Sequence, residues 1–223
     1  MLYRRPRGRH TRYAGASPRV AIAGRTGECR SAVVLDSGPL PEQVLTALVD
    51  IGGIEVTVAS YHAPPGVTWF EKKPAQAVAF AQQLAAVVGP VLFGADANTP
   101  RVDAIDFALT RTHWHTGARK LKGAPGDDLL FGPEKIHWLD DGLRRYLETH
   151  PAELSKLQAD RPEGPLAVSY RTGKRKAHPG TDRRFDSIWV SNHFAVDAIA
   201  YPYDASIAAG SDHAAVVADL SMG

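Results

Sequence analysis

The chain has 223 residues, of which 44% are hydrophobic and 22% are charged, a composition typical of a globular domain with a sizeable core. Its single cysteine, Cys29, excludes an internal disulfide framework and argues against a thiolate metal site. No apolar stretch approaches the ~20 residues of a membrane-spanning helix, and no secretory signal precedes the domain. The sequence therefore predicts no membrane span and favours a cytoplasmic location.

The net charge of +2 is unevenly distributed. One basic run lies in residues 1–12, and the other holds Arg171, Lys174, Arg175, Lys176, Arg183 and Arg184. Such runs either contact phosphates or are simply solvated, and composition favours neither reading. We predict a basic, disordered tail over residues 1–17 and one domain over residues 18–223.

The first half of the domain is predicted to consist mainly of strands. Arg19–Ala23 and Ser31–Leu35 have the apolar character of short buried strands, and Val44–Ile51 and Ile54–Tyr61 flank Gly52-Gly53 as a hairpin. A helix is predicted from Pro74 to Val88, with Val78, Ala81, Leu84, Ala85 and Val88 on one face.

The second half is predicted to alternate helix and strand. Val91–Phe93 is a short strand, a helix spans Ile136–Glu148, and Asp186–Ser191 and Ala214–Leu220 are the last strands, the final one buried. Residues 115–182 are rich in glycine and proline in places and are predicted to run over the surface. The pattern indicates an α/β or α+β layered sandwich.

Four polar clusters follow or open apolar strands, where open sheets commonly build their sites. They are Ser60-Tyr61-His62, Asp96 with Asn98, Arg184-Phe185-Asp186 and Ser211-Asp212-His213. Each alone has a structural explanation, such as a turn-forming Asp or a strand-capping His. Together, two His, three Asp and one Asn favour a hydrolytic site. A serine hydrolase is disfavoured because no Gly-x-Ser-x-Gly elbow is present.

The order of these motifs resembles that of the endonuclease/exonuclease/phosphatase (DNase I-like) family. The resemblance rests on Val58–Gly66, on Gly94-Ala95-Asp96-Ala97-Asn98, on Arg184–Ser191 and on Ser211–Val216, and it covers residues 18 to 221. It implies a sandwich of two mainly antiparallel sheets flanked by helices, and a metal-dependent phosphodiesterase, most readily a nuclease. The implied partners are nucleic acid or another phosphodiester, and the implied cofactor is Mg²⁺, with Mn²⁺ as a substitute.

The resemblance also implies a role for each motif residue. Asp96 would take the proton of the attacking water, and Asn98 would hold that water or a phosphate oxygen. His213, oriented by Asp186, would contact the phosphate, with His62 as a second imidazole. Asp212 would bind the metal. Arg184, Lys174 and Arg175 are weaker candidates for substrate phosphate. Glu28 either pairs with His62 or is a solvent-exposed turn residue.

The family pattern normally begins with an Asn-bearing strand, a helix and a Gln-Glu that binds the metal, and residues 1–18 contain no match. The domain is therefore predicted to be N-terminally incomplete, either as part of a longer protein or by divergence. Weak Mg²⁺ binding and low turnover are the consequence. The alternatives are a catalytically impaired or non-catalytic nucleic-acid-binding module of the same fold, or a lipid or sugar phosphodiesterase.

Overall fold

The computed structural model of the chain describes residues 20–64, 71–112, 125–173 and 181–223. The predicted tail, the last two residues of the Val58–Gly66 motif, and Lys174 and Arg175 lie outside these residues. Within these ranges the strands are β1 Glu28–Val34, β2 Val44–Ile51, β3 Ile54–His62, β4 Val91–Asp96, β5 Asp140–Asp141, β6 Tyr170–Arg171, β7 Asp182–Arg183, β8 Asp186–Val190, β9 Phe194–Ala200 and β10 Val217–Met222. The α-helices are α1 Lys72–Ala86, α2 Pro125–Phe131, α3 Gly142–Thr149, α4 Pro151–Asp160 and α5 Tyr203–Ala208.

Six of these strands form the main sheet, in the order β1-β2-β3-β4-β8-β5. The predicted hairpin is confirmed: β2 and β3 are antiparallel, and Gly52 and Gly53 turn between them with φ of 65° and 88°. Positive φ at both central residues is the requirement of the tightest hairpin turns, which glycine meets without steric cost. Strands β9 and β10 form a separate antiparallel pair, as do β6 and β7.

The pairing of β4 with its two neighbours determines where polar side chains meet. Helix α1 returns the chain so that β4 runs parallel to β3, with His62 beside Asp96. Strand β8 runs antiparallel to β4, which places Asp186 beside Asp96 on the other side. The ends of β3 and β4 and the start of β8 therefore share one edge of the sheet.

The main core lies between this sheet and helices α1 and α2, and its centre is aromatic. Phe93 and Trp189 stack with ring centroids 6.0 Å apart, and Phe80 contacts Phe93 edge-on at 5.2 Å. Burial of each such ring stabilises the fold by roughly 2–3 kcal/mol. A second core, on the opposite face of the sheet, joins Val56 and Val190 to Phe194 and Val196 of β9.

Four sequence predictions need correction. Residues 20–23 form no strand, and β1 begins at Glu28. Helix α3 begins only at Gly142, because the Asp141 carboxylate accepts from the Leu143 and Arg144 N–H groups and caps it there. Strand β10 alternates exposed and half-buried residues, so it is not a fully buried strand. In α1, Val88 was expected on the packed face but follows the helix and is 94% exposed.

The segment predicted to run over the surface instead contributes to the core. Leu143, Leu147, Leu166 and Ala167 are buried together as a third cluster beneath α3 and α4. None of the helices in the described ranges is long and apolar enough to cross a membrane. The architecture is a mixed sheet flanked by helices, with the smaller β9–β10 sheet packed on its other face, which confirms the predicted α/β layering.

Candidate active site

Four of the predicted site residues meet at the shared edge of the main sheet. The His213 Nδ1 and Asp186 Oδ2 atoms are 2.7 Å apart, and the His62 Nε2 and Asp96 Oδ2 atoms are 3.6 Å apart. Asp96 and Asp186 are direct partners across β4 and β8. All four side chains are part-buried, between 15% and 34% exposed. The arrangement is two histidine–carboxylate pairs side by side in a solvent-accessible recess.

The electrostatic environment gives these groups different proton affinities. Burial and the neighbouring Asp186 carboxylate raise the pKa of Asp96, which makes Asp96 a stronger base than an ordinary aspartate. The hydrogen bond to Asp186 raises the pKa of His213. His213 therefore retains a proton more readily than a free imidazole, as a group that contacts an anion requires.

Ser169 fixes the Asp186–His213 pair from below. Its fully buried hydroxyl accepts from the N–H groups of Phe185 and Asp186, at 2.8 and 3.1 Å. Its carbonyl accepts from the N–H of Ala214, at 2.7 Å. One residue thus holds the start of β8, through its hydroxyl, and the segment that carries His213, through its carbonyl, in a single geometry.

Asn98 closes the turn that follows β4. Its φ of 48° lies in the left-handed region, which asparagine adopts more readily than most residues. Its backbone N–H donates to Asp96 Oδ1 at 3.2 Å, and its Nδ2 donates to the Ala63 carbonyl at 2.9 Å. The amide therefore joins the ends of β3 and β4, and within the described residues its Oδ1 and its second Nδ2 hydrogen remain to meet a water or a substrate group.

A buried lysine supports this turn from α1. The Lys73 ammonium donates to the carbonyls of Ala97 and Asn98, at 3.1 and 3.3 Å, and lies 3.5 Å from Asp127 Oδ2. The side chain is 7% exposed. A cation in the first turn of a helix is disfavoured by the helix dipole, so its position is better explained by the carbonyls that it holds.

The sequence reasoning missed Ser169, Lys73 and Tyr170, whose ring lies 4.8 Å from that of His213. Only Lys73 has a local signal, a lysine at the dipole-disfavoured start of a predicted helix. Ser169 and Tyr170 are recognisable only from contacts made across the fold, because their partners lie at least 15 residues away.

Within the described residues, one group of side chains has the spacing of a metal site. One ligand atom from each of Asp96, Asp186 and His213 lies within 4.8 Å of the others. Two carboxylates suit a hard divalent cation that keeps several waters, so the donor set fits Mg²⁺ or Mn²⁺. Asp212, expected as the metal ligand, is exposed and is not part of this group.

Two of the weaker site assignments are wrong. The Arg184 guanidinium is 4% exposed and is clamped between Asp103, at 2.7 Å, and Asp141, at 2.6 Å, so it has no access to a substrate phosphate. Glu28 pairs with Arg30 at 3.0 Å and lies at the end of the sheet opposite His62. It is an exposed glutamate, as the alternative interpretation held.

Comparison with known proteins agrees with this geometry at the level of fold. No family model and no curated protein matches the chain. Among solved structures, the human Nocturnin catalytic domain with bound sulfate matches 88% of the chain, with 16% identity and a TM-score of 0.53. D. rerio TDP2 complexed with a single-strand DNA product matches 86%, with 11% identity and a TM-score of 0.54. The chain spans 60% and 66% of these two structures. It has the DNase I-like fold of the endonuclease/exonuclease/phosphatase proteins.

Proposed function

We propose that the chain carries the active site of a metal-dependent phosphodiester hydrolase that acts on nucleic acid. The observation that carries this proposal is the meeting of His62, Asp96, Asp186 and His213 in one half-exposed recess. Paired carboxylates and imidazoles in such a recess supply a base, a cation and oxygen ligands within a few ångströms, which is what phosphoryl transfer requires.

Each side chain has a role that follows from its surroundings. Asp96, which lies between His62 and Asp186, accepts the proton of the attacking water. His213, held by Asp186 at 2.7 Å, donates to a phosphoryl oxygen and neutralises its charge. His62 contacts the same phosphate from the far side of Asp96. Asp96 and Asp186 would hold the Mg²⁺ or Mn²⁺, which when bound polarises the phosphoryl group.

Nucleic acid is the substrate class that one of the two structural neighbours supports, since it is a complex with a single-strand DNA product. The identity to either neighbour is at most 16%, so this support concerns the fold and the recess that it builds. The same recess would accept any diester able to reach it, which makes the substrate a question for experiment.

The first test is hydrolysis of bis(p-nitrophenyl) phosphate and of single-stranded DNA by the purified chain with Mg²⁺, Mn²⁺ or EDTA. We expect metal-dependent release of product that falls at least about 100-fold in Asp96→Asn and in His213→Ala. Unfolding midpoints of the variants serve as the folding control. Equal activity of wild type and both variants would show that contaminating nuclease is the source, and the proposal would fail.

The same samples also distinguish the proposed enzyme from a non-catalytic DNA-binding module. In that case DNA binding persists, hydrolysis is absent with every metal, and calorimetry detects no Mn²⁺ binding that Asp96→Asn removes. Metal binding lost in Asp96→Asn, together with turnover, supports the enzyme.

A further inference from the structure

Arg101 is a half-buried arginine beside the candidate active site that the proposed mechanism leaves unused. It follows the Asn98 turn by three residues, and its backbone is fixed by an N–H bond to the Arg111 carbonyl at 2.8 Å. Its guanidinium lies over the ring of Phe185, 6.0 Å from the centroid. Phe185 directly precedes Asp186, so the arginine lies near the start of β8, where Asp186 meets His213.

A row of rings connects Arg101 to the catalytic imidazole. Phe185 stacks on Tyr170 with centroids 5.5 Å apart, and Tyr170 in turn lies 4.8 Å from the His213 ring. Arg101 is therefore next to the site without touching the groups that carry out the chemistry. This is the position of a residue that binds a neighbouring part of a longer substrate.

In the described part of the chain, the charge on Arg101 has no carboxylate as a direct partner. Within the parts of the chain that the structure describes, no carboxylate lies within 4.0 Å of its guanidinium. The nearest acid that influences it, Asp127, is occupied at 3.5 Å by Lys73. A second arginine lies alongside, because Arg183 Nη1 donates to the Arg101 carbonyl at 2.7 Å.

Desolvation of such a group is costly, and the cation–π contact with Phe185 offsets only part of that cost. Burial lowers the pKa of Arg101 although the charge of Asp127 opposes this shift, so the described residues compensate the charge only in part. Arg184, one residue beyond Arg183, is more deeply buried and has two carboxylates. An anionic ligand would give Arg101 the compensating negative charge that Asp103 and Asp141 give Arg184.

We propose that Arg101, with Arg183 beside it, forms an anion subsite for the phosphate next to the scissile one. The inference rests on the proposed function and narrows its substrate class, because an isolated phosphodiester has no second phosphate whereas a nucleic-acid strand has one at every step. The subsite binds the neighbouring phosphate by charge-assisted hydrogen bonds and carries no base specificity.

The subsite is tested by comparing kcat/KM for two substrates that differ by one phosphate. Thymidine dinucleotide has one phosphate and the trinucleotide has two. The wild-type kcat/KM for the trinucleotide should exceed that for the dinucleotide by about tenfold, the contribution of one charge-assisted contact. Arg101→Ala should bring the ratio close to one, and Arg101→Lys should restore part of it. A p-nitrophenyl 3-phosphopropyl phosphate substrate, with a second phosphate but no nucleoside, separates recognition of a strand from recognition of any bisphosphate.

Binding tests the subsite independently of turnover. The affinity of a fluorescein-labelled hexathymidylate is measured by anisotropy without divalent metal at several salt concentrations. Arg101→Ala should weaken binding about tenfold and reduce the slope of log K against log salt by about 0.7, the value for one phosphate on a single strand. The matched control is Arg145→Ala. Arg145 lies near the other end of β8, where it donates to the Ser191 carbonyl and is 3.9 Å from Asp140.

The two hypotheses fail separately. A wild-type chain that hydrolyses nothing, but binds the hexamer through Arg101, overturns the proposed function and leaves the subsite. Arg101→Ala with wild-type affinity and salt slope overturns the subsite even in an active enzyme. Equal losses in Arg101→Ala and Arg145→Ala also overturn it, because the effect is then one of overall charge.

Discussion

Two clusters of acids and bases lie two residues apart at the start of β8 and have opposite characters. Arg184 is clamped by Asp103 and Asp141 in a nearly dry environment, each of the three side chains at most 4% exposed. The Asp186 and His213 side chains, 15% and 20% exposed, hydrogen-bond to each other at 2.7 Å. The first cluster is closed and saturated, whereas the second is open on the solvent side.

The difference shows how this fold separates stability from chemistry. The Asp103 carboxylate is shared between Arg184 and Arg144, and it also accepts from the Leu166 N–H. Such a group has no capacity left for a ligand, and its saturation is what makes its burial tolerable. The His213 pair keeps unused hydrogen-bonding capacity, which costs stability but is available to a substrate.

The largest effect is expected in the closed cluster. Arg184→Met leaves two buried carboxylates without their main partner, so the free energy of unfolding should fall by about 3–5 kcal/mol. Urea unfolding followed by circular dichroism measures it, and recovery only as aggregate agrees with the upper part of that range. The control is Arg171→Met, which breaks the exposed Arg171–Asp182 pair and should cost at most about 1 kcal/mol. Similar losses in both variants would remove the distinction between the clusters.

In the open cluster, a substitution should reduce the rate of hydrolysis and not the stability of the fold. Asp186→Asn keeps the shape of the side chain but removes the charge that orients His213, so kcat should fall about 100- to 1,000-fold. This corresponds to about 3–4 kcal/mol of transition-state stabilisation. The urea midpoint should change little. If Asp186→Asn instead destabilises the fold as much as Arg184→Met, the pair is structural and the comparison fails.

Lys73 combines features of the two clusters. It is buried like the closed cluster, but it holds the Asn98 turn beside the open cluster. Lys73→Met should cost about 2–3 kcal/mol of stability and should also reduce kcat about tenfold with little change in KM, since the Asn98 turn relaxes.

Lys135→Met is the matched control. Lys135 also joins a backbone carbonyl and a carboxylate, those of His137 and Asp140, away from the recess. Hydrogen exchange at the Asn98 N–H gives a readout without turnover and should accelerate only in Lys73→Met. Unchanged exchange there would refute the positioning role.

The sequence predicted the parts of this molecule that have a local signature. The hairpin at Gly52-Gly53, the helix after Pro74 and the order of the motifs around Asp96, Asp186 and His213 all appear as periodicity or as short patterns. The closed cluster has no such signature, because Asp103, Asp141 and Arg184 are separated by about 40 residues each and meet only through packing. Arg184 was therefore assigned to the substrate on charge alone. A run of charged residues in a sequence does not show which of them are buried, and burial decides what each charge contacts.

The smallest expected effect concerns a histidine that is buried as deeply as the closed cluster. His137 contacts the Phe93 and Trp189 rings edge-on, its Nε2 is 2.8 Å from the Leu130 carbonyl, and its Nδ1 accepts from the Leu139 N–H at 3.2 Å. Burial lowers its pKa to about 4, whereas the pKa of His213 is raised. The folded protein thus keeps one imidazole neutral and favours the protonated form of the other.

The shift in His137 makes stability depend on pH in a definite direction. Below pH ~6.5 the unfolded state takes up a proton that the folded state refuses, so stability is full above that value and declines as the pH falls towards 4. The loss at pH 5 should be about 2 kcal/mol relative to pH 7. Urea unfolding of wild type and His137→Gln at pH 5, 6 and 7 measures it as the difference between their slopes. The variant is less stable at neutral pH but lacks this titration, so the two free energies should converge as the pH falls. Parallel curves would mean that His137 is protonated in the folded protein without penalty, and that burial in this core does not keep the imidazole neutral.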